Sequence, residues 1–340
     1  MVQQDNLTHH FMQQSVTVIG AGIAGAWHAL LLAKAGFAVK LHERGNPAMT
    51  QATSHWAGGM LAPYCEREGS EPLITRLGLR SLTLWREQVP QTPFEGSLVV
   101  AHTRDRADYE RFARMTSNHQ RIDGKALAEL EPSLDGRFRD ALFFPDEGHV
   151  EPRRVVPQLH DLIRAAGGSI EFQSEQKPQT TDGIVIDCRG LAARDQFPDL
   201  RGVKGEEIIV ETDEIELSRP VRLMHPRWPL YIIPRENNRF MIGATSIERE
   251  DSGVSVRSAL ELLSAAYAVH PAFAEARIVE IGSGLRPAFP DNLPRIAIEG
   301  QHIAVNGLYR HGFLLAPALA ELTLAYLQRG AIDNEVMQCA

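Results

Sequence analysis

The feature that most constrains this chain is a glycine-rich turn between a strand and a helix near its beginning. Residues 15–44, "SVTVIGAGIAGAWHALLLAKAGFAVKLHER", start with β-branched residues and continue with three glycines in the spacing GxGxxG. An alanine- and leucine-rich helix follows and stops at Gly36, and a second apolar strand then ends in an acid. This order predicts one βαβ unit and a doubly wound α/β sheet that binds a dinucleotide at the turn.

The three glycines each meet a steric demand of such a site. Gly20 permits the tight turn, Gly22 lets the backbone approach a pyrophosphate, and Gly25 lets the helix pack closely on the strand. Ile23 and Ala24 open the helix, where the backbone carries positive partial charge that attracts phosphate. A glycine turn that binds nothing is the alternative, and the flanking strand, helix and acid argue against it.

The acid at the end of the second strand indicates which ribose is bound. Glu43 lies 23 residues after Gly20 and would accept hydrogen bonds from the ribose hydroxyls of an adenosine. It disfavours a 2′-phosphate, although Arg44 beside it weakens that point. The fingerprint alone does not separate NAD from FAD, but the extended spacing with Ala29 and Gly36 favours FAD.

The remaining elements predict two interleaved domains. A second β-α-β pattern comprises a helix at 155–166 and strands at 169–172 and 183–187, and mixed helical segments lie at 72–88 and 107–115. Short alternating strands between 203 and 243 suit an antiparallel sheet, and they precede a helix at 258–269, the strand "HIAVNG" and a long helix at 313–327.

We therefore predict an α/β fold in which a Rossmann-like nucleotide domain alternates along the chain with an antiparallel-sheet substrate domain. The nucleotide-binding domain is assigned residues 14–60, 140–202 and 280–335, and the substrate-binding domain residues 61–139 and 203–279.

Composition excludes several kinds of partner. The 35 basic and 43 acidic residues give a formal charge of -8, which argues against nucleic acid and against an anionic membrane surface. Residues 1–15 lack a cationic and apolar leader pattern, and the apolar run at 29–33 is too short to span a membrane, so a cytoplasmic location is predicted. Cys65, Cys188 and Cys339 are widely separated and predict neither a disulfide framework nor a metal site.

Seven further stretches resemble the D-amino-acid oxidase family of flavoproteins, and most of all its glycine oxidase branch, the thiamine-pathway enzyme ThiO. They span most of the chain, and their order and spacing carry the resemblance: "SHWAGGMLAP" (54–63), "GHVEP" (148–152), "VKGEEIIV" (203–210), "YIIPR" (231–235), "IGATS" (242–246), "GLRPAFPDNLP" (284–294) and "YRHGFLLAP" (309–317).

The resemblance implies non-covalent FAD with its flavin ring at the boundary between the domains. Residues 57–60 would form the loop beneath the ring, and the helix start at Gly312 would place amides where reduced flavin develops negative charge. In "DCRG" (187–190), Gly190 suits contact with the cofactor, and Arg189 is either a cofactor contact or a surface charge. The further residues expected to contact FAD are Ser54, Ala57, Gly58, Gly59, Met60, Gly190, Arg286, Arg310, His311, Phe313 and Leu314.

The substrate site is expected around two arginines and a tyrosine. Arg286 is the first candidate for the substrate carboxylate because its guanidinium fork matches a carboxylate, and the resemblance gives Tyr231 and Arg310 supporting roles. Each has an alternative: a surface salt bridge for Arg286, a core position for Tyr231 and a loop cap for Arg310. His311 and His55 are candidates for proton acceptors, and the alternative for each is a structural or solvent-facing histidine.

Three positions near this site depart from the glycine oxidase pattern. Leu308 replaces a histidine, His311 replaces an asparagine, and Ser246 stands where a methionine can occur. These differences concern the size of the substrate more than the use of FAD.

The expected reaction is oxidation of glycine or a similarly small amino acid to the imine, and then to glyoxylate and ammonia. Dioxygen would be reduced to hydrogen peroxide, and in thiamine biosynthesis the imine would pass to thiazole-synthesis enzymes. The alternatives are a D-amino-acid dehydrogenase that reduces a quinone, a sarcosine-type oxidase with covalent flavin, an FAD-binding module without catalysis and a nicotinamide dehydrogenase. The number of subunits in a homo-oligomer is left open.

Overall fold

The computed structural model describes residues 14–225 and 230–339. Most of the N-terminal stretch for which no leader was predicted therefore lies outside the described residues. No helix in the described ranges combines the length and the apolar character needed to cross a bilayer.

The described residues form seven α-helices and seventeen β-strands. The helices are α1 Ile23–Lys34, α2 Pro72–Gln88, α3 Arg106–Met115, α4 Gly124–Leu130, α5 Pro152–Ala165, α6 Val256–Val269 and α7 Gly312–Arg329. The strands are β1 Ser15–Ile19, β2 Ala38–Glu43, β3 Met60–Leu61, β4 Ser97–Ala101, β5 Gln120–Asp123, β6 Asp140–Phe144, β7 Gly148–His149, β8 Ser169–Phe172, β9 Ile184–Asp187, β10 Arg201–Glu211, β11 Val221–Met224, β12 Leu230–Arg235, β13 Arg239–Gly243, β14 Arg277–Ala288, β15 Arg295–Glu299, β16 His302–Asn306 and β17 Met337–Cys339.

The first sheet is mostly parallel and contains the glycine turn. Among the described residues its order is β17-β15-β16-β9-β1-β2-β8. β1 pairs in parallel with β2 on one side and with β9 on the other. From β1 the sheet is first extended on the β2 side, and the strands on the β9 side are added later in the chain. The carboxyl ends of β1 and β9 meet at this switch point, where α/β sheets bind ligands.

Helices α1, α2 and α7 pack together over one large apolar core of this sheet. Trp27 of α1 and Trp85 of α2 are fully buried and meet edge to face with ring centroids 4.8 Å apart. His28 Nε2 lies 3.1 Å from Thr323 Oγ1 and links α1 to α7. Because α1 is apolar almost all round, it is buried on nearly every face and holds its N-terminus rigidly against the sheet.

The second sheet is predominantly antiparallel and has the order β14-β10-β13-β12-β11-β4-β6-β5 among the described residues. The alternating strands predicted between 203 and 243 occupy its centre. One pair, β4 with β11, is parallel, which the sequence did not predict. Helix α6 covers one face, with Leu262, Ala266 and Val269 buried against the sheet.

These two sheets confirm the predicted α/β fold class with an added antiparallel sheet. The strands of each sheet come from separated parts of the chain, so the polypeptide passes between the sheets more than once. The residue limits assigned to the two domains stay a prediction.

Candidate functional site

A cavity of about 1190 Å³ is lined by residues of both sheets. It contains most of the residues that the sequence placed at the cofactor and the substrate. The predicted residues that line it are Gly20, Gly22, Ile23, Ala24, Glu43, Arg44, Ser54, Ala57, Gly58, Gly59, Met60, Gly190, Tyr231, Arg286, Arg310, Gly312 and Phe313. Gly25, His311 and Leu314 are absent from the lining and lie behind it.

The glycine turn is closed too tightly for side chains at two of its three glycines. Gly20 has a φ of 97°, and a Cβ there would lie 2.6 Å from the carbonyl oxygen of Cys188. A Cβ on Gly25 would lie 1.8 Å from the carbonyl oxygen of Gly20. At Gly22 the nearest atom is Ser54 Oγ at 3.1 Å, so this position faces the open cavity. Gly20 and Gly25 shape the turn, and Gly22 leaves room in front of it.

Two side chains hold the turn from the cavity side. Ser54 Oγ accepts a hydrogen bond from the amide of Ile23 at 3.0 Å. The Glu43 carboxylate accepts from the amide of Ala21 at 2.9 Å and from that of Gly45 at 2.8 Å. Ser54 was predicted to contact cofactor through a resemblance alone, and the structure shows that it also acts as a cap for α1.

The loop at residues 57–60 is fixed by backbone geometry and by an arginine that the sequence reading missed. Gly59 has a φ of 71°, and a Cβ there would lie 2.1 Å from the carbonyl oxygen of Val150. Arg235 Nη2 donates to the carbonyl oxygen of Gly58 at 2.7 Å. Because β3 also pairs with β7, the loop is held rigidly along one side of the cavity.

The start of α7 also lies at the cavity, although it comes much later in the chain than the glycine turn. Gly312 is its first residue, and Gly312 and Phe313 line the cavity. Leu314 instead packs towards α2, where a Cβ on Gly78 would lie 3.1 Å from its side chain. The positive end of an 18-residue helix is therefore directed at the cavity.

Arg286 is half-buried, and its guanidinium lies over Gly205 of the paired strand β10, two residues from its register partner Val203. Its Nη1 donates to the carbonyl oxygen of Thr245 at 2.9 Å, and a Cβ on Gly205 would lie 2.0 Å from its Nη2. Burial lowers the pKa of the guanidinium from its ordinary value, and Tyr309 and Glu207 partly offset that effect. Arg286 forms no ion pair within residues 14–225 and 230–339, so its charge is available to a ligand.

Arg310 has a carboxylate partner within the protein. Its Nη2 lies 2.7 Å from Glu66 Oε2, and His311 Nδ1 lies 3.5 Å from the same oxygen. Burial raises the pKa of Glu66, but Arg310, His311 and Arg222 outweigh burial and lower it to about 2. Burial lowers the pKa of His311 to about 4, so this histidine is neutral at neutral pH. The positive charge of Arg310, just before α7, is therefore largely balanced by the carboxylate of Glu66.

Tyr231 meets a second arginine that the sequence did not indicate. Arg222 Nη1 donates to Tyr231 Oη at 3.4 Å, and its Nη2 donates to Glu68 Oε2 at 3.1 Å. The two residues are direct partners in the β11–β12 register. The register identifies Arg222 as the neighbour of Tyr231, but it is known only once the strands are paired in the structure.

Two other predicted residues lie outside the centre of the site. Arg189 lines the cavity but is bound to Asp187 and Asp195 at 2.8 and 2.9 Å, so its charge is already compensated. His55 lines a separate cavity of about 230 Å³. Among the described residues, His55 does not belong to the lining of the larger cavity.

We expect Glu66→Gln to destabilise the protein by about 1–3 kcal/mol at neutral pH, because Arg310 loses its buried partner. Glu66 has a folded-state pKa of about 2, below its ordinary value of 4.5. Its contribution is therefore present above pH ~4.5 and is lost as the pH falls towards about 2. Urea unfolding over this pH range should show a free energy of unfolding that falls less on acidification in the variant than in wild type.

Glu68→Gln is the matched control, since Glu68 pairs with Arg222 and Arg111 rather than with Arg310. Equal loss of stability on acidification in wild type and Glu66→Gln would contradict the assigned ion pair.

Comparisons with known proteins find similarity over almost the whole chain. A family model described as FAD dependent oxidoreductase matches residues 15–326. A putative thiamine biosynthesis oxidoreductase ThiO of Rhizobium etli is 50% identical over 307 residues, which cover 90% of this chain and 94% of the relative. A bifunctional ThiO/ThiG protein of Synechocystis is 26% identical, with 90% of this chain and 50% of the relative covered.

A solved structure is also similar. The crystal structure of glycine oxidase from Geobacillus kaustophilus superposes with a TM-score of 0.78 at 26% identity, covering 94% of this chain and 96% of the other.

Proposed function

Because this chain belongs to the family of FAD dependent oxidoreductases, we propose that it oxidises glycine or a similarly small amino acid at the α-carbon. Family membership makes it an FAD-dependent enzyme and confirms the family predicted from the sequence. The substrate, the electron acceptor and the residue roles given below are part of the proposal.

The residues present fit FAD. At Gly20 and Gly59 a side chain would collide with backbone, and at Gly22 the space in front of the turn is open. A backbone surface without side chains suits the close approach of a dinucleotide. Glu43 and Arg44 would lie at the ribose end, and residues 57–60 with Gly312 and Phe313 at the ring end. When bound, FAD supplies a two-electron acceptor, and the chain supplies binding and electrostatics.

One observation carries the substrate assignment: Arg286, which has no ion-pair partner among the described residues, lines the same cavity as the glycine cradle. Arg286 would hold the substrate carboxylate through its guanidinium fork. Tyr231 would donate its hydroxyl to the same carboxylate, because Arg222 already occupies the hydroxyl oxygen as a donor. Arg310 would contribute less attraction, since Glu66 balances its charge.

The amine end of the substrate needs no strong base. Glu66 has a pKa of about 2 and His311 a pKa of about 4, so neither holds a proton firmly at neutral pH. Oxidation at the α-carbon can proceed by positioning the amino acid in its neutral-amine form, with water taking up the proton. The residues around the cavity would act by orientation and by charge.

We assign dioxygen as the electron acceptor. The amino acid loses two electrons and two protons to give the imine, dioxygen gains them to give hydrogen peroxide, and water converts the imine to glyoxylate and ammonia. A role in thiazole synthesis is supported by the relatives named ThiO and ThiO/ThiG, one of which joins both names in one polypeptide. A cytoplasmic location and non-covalent FAD belong to the same proposal.

The test is anaerobic mixing of the yellow holoenzyme with a panel of amino acids. We expect glycine or another small amino acid to bleach the flavin absorbance, and readmitted dioxygen to restore it with one hydrogen peroxide per turn. Bleaching that dioxygen fails to reverse, but a quinone reverses, would replace the oxidase by the dehydrogenase alternative. A flavin that no amino acid bleaches would overturn the proposed substrate class.

A further inference from the structure

A pair of hydroxyl groups joins the two chain segments that hold the substrate-site arginines. Ser246 Oγ lies 2.9 Å from Tyr309 Oη, and both residues line the large cavity. Ser246 follows Thr245, whose carbonyl oxygen accepts from Arg286. Tyr309 directly precedes Arg310. We call this pair of hydroxyls the Ser246–Tyr309 bridge.

Both ends of the bridge are fixed independently of it. The amide of Thr245 donates to the carbonyl oxygen of Glu206 at 3.1 Å, and Thr245 Oγ1 accepts from the amide of Glu206 at 2.9 Å. On the other side, the amide of His311 donates to the carbonyl oxygen of Leu308 at 2.8 Å. Because both backbones are held, the two hydroxyls meet by local side-chain rotation and can part without unfolding either segment.

The bridge lies at the mouth of the cavity. Ser246 is exposed, and Tyr309 and Arg286 are both half-buried, with enough protein around Arg286 to lower the pKa of its guanidinium. The Tyr309 ring lies 6.0 Å from the guanidinium carbon of Arg310. A molecule that passes from solvent to Arg286 between these two segments therefore has to pass the tyrosine ring.

The backbone at Tyr309 supports a role beyond packing. Its φ is 48°, in the left-handed region that a residue with an aromatic side chain rarely adopts. Such a conformation persists where the surroundings hold it, and it directs this ring towards Ser246 rather than into the core.

We propose that the Ser246–Tyr309 bridge is a latch across the mouth of the cavity that restricts the substrate to small amino acids. This inference rests on the proposed function for the identity of the substrate. A small amino acid passes beneath the closed bridge, and a branched one requires the hydroxyls to separate. Specificity then depends on the cost of breaking one hydrogen bond.

The experiment compares holoenzymes carrying Ser246→Ala, Tyr309→Phe and both changes. Each single variant should raise kcat/KM for leucine enantiomers relative to glycine by about three- to tenfold, the range expected for one hydrogen bond. The double variant should show no further gain, because either change alone removes the same bond. Tyr309→Phe keeps the ring, and thermal unfolding of every variant checks that the fold is intact.

Tyr267→Phe is the matched control, since this tyrosine is 54% exposed on α6. Gains from the two single changes that multiply in the double variant, or an unchanged ratio of leucine to glycine, would overturn the latch.

A binding measurement separates the latch from the proposed function. Benzoate and acetate are bulky and small carboxylates whose association rate constants can be read from the flavin absorbance by stopped flow without turnover. In both bridge variants the ratio of the association rate constant of benzoate to that of acetate should be higher than in wild type. If wild type oxidises no amino acid but this ratio shifts, the latch stands and the substrate class fails. An unshifted ratio with glycine oxidised would give the reverse conclusion.

Discussion

Gly22→Val is expected to give a folded protein that has lost its FAD. The position faces the cavity, and the nearest atom to a new Cβ is Ser54 Oγ at 3.1 Å, a side-chain atom that has to shift by only a few tenths of an ångström for the apoprotein to fold. Two further methyl carbons would fill the space in front of the turn that a pyrophosphate needs. Overpacking of this kind should weaken FAD binding about 100-fold or more.

The readout is the flavin absorbance of the purified protein together with circular dichroism and thermal unfolding. Gly25→Val provides the contrast, because its Cβ would lie 1.8 Å from the carbonyl oxygen of Gly20 and should disrupt the fold itself. A yellow Gly22→Val protein with normal FAD content would show that the cofactor does not approach this turn.

Arg286→Ala is the second change with a large expected effect, a rise in KM of about 100- to 1000-fold. The Arg286 side chain lines the cavity, and the variant would leave the substrate carboxylate without its charged donor. FAD should be retained, since the glycine cradle and the 57–60 loop do not depend on this side chain. Steady-state kinetics with glycine and the flavin content of the same preparation measure both effects.

Arg286→Lys is the informative comparison. Lysine keeps the charge but lacks the planar fork, so it should recover part of the lost affinity and not all of it. An unchanged KM in Arg286→Ala would remove Arg286 from the substrate site and transfer the carboxylate to Arg222 or Arg310.

The parts of the molecule that were predictable from sequence are those governed by local sterics and periodicity. The glycine spacing at residues 20–25 fixes the turn because a Cβ would collide with neighbouring backbone, whatever the rest of the chain does. Helix α2 begins and ends at the predicted residues, Pro72 and Gln88, because proline starts it and its apolar spacing is helical.

The unpredicted features depend on which distant segments become neighbours. Arg310 was predicted to face an external anion, and the structure gives it Glu66, which lies far away in sequence on a short 3₁₀ turn. Arg222 and Arg235 were overlooked for the same reason, since each acts on an atom brought close by sheet pairing. The parallel β4–β11 pair likewise follows from chain topology and leaves no local pattern.

The interleaving of the two sheets orders events during biosynthesis. β1 and β2 leave the ribosome early, but their sheet is completed by β15, β16 and β17, and α7 closes the cavity only after residue 312 has emerged. Flavin capture must therefore wait until α7 has emerged. Until then the nascent chain carries an unfinished sheet edge, and a truncated polypeptide that ends before α7 would lack the helix start that closes the cavity.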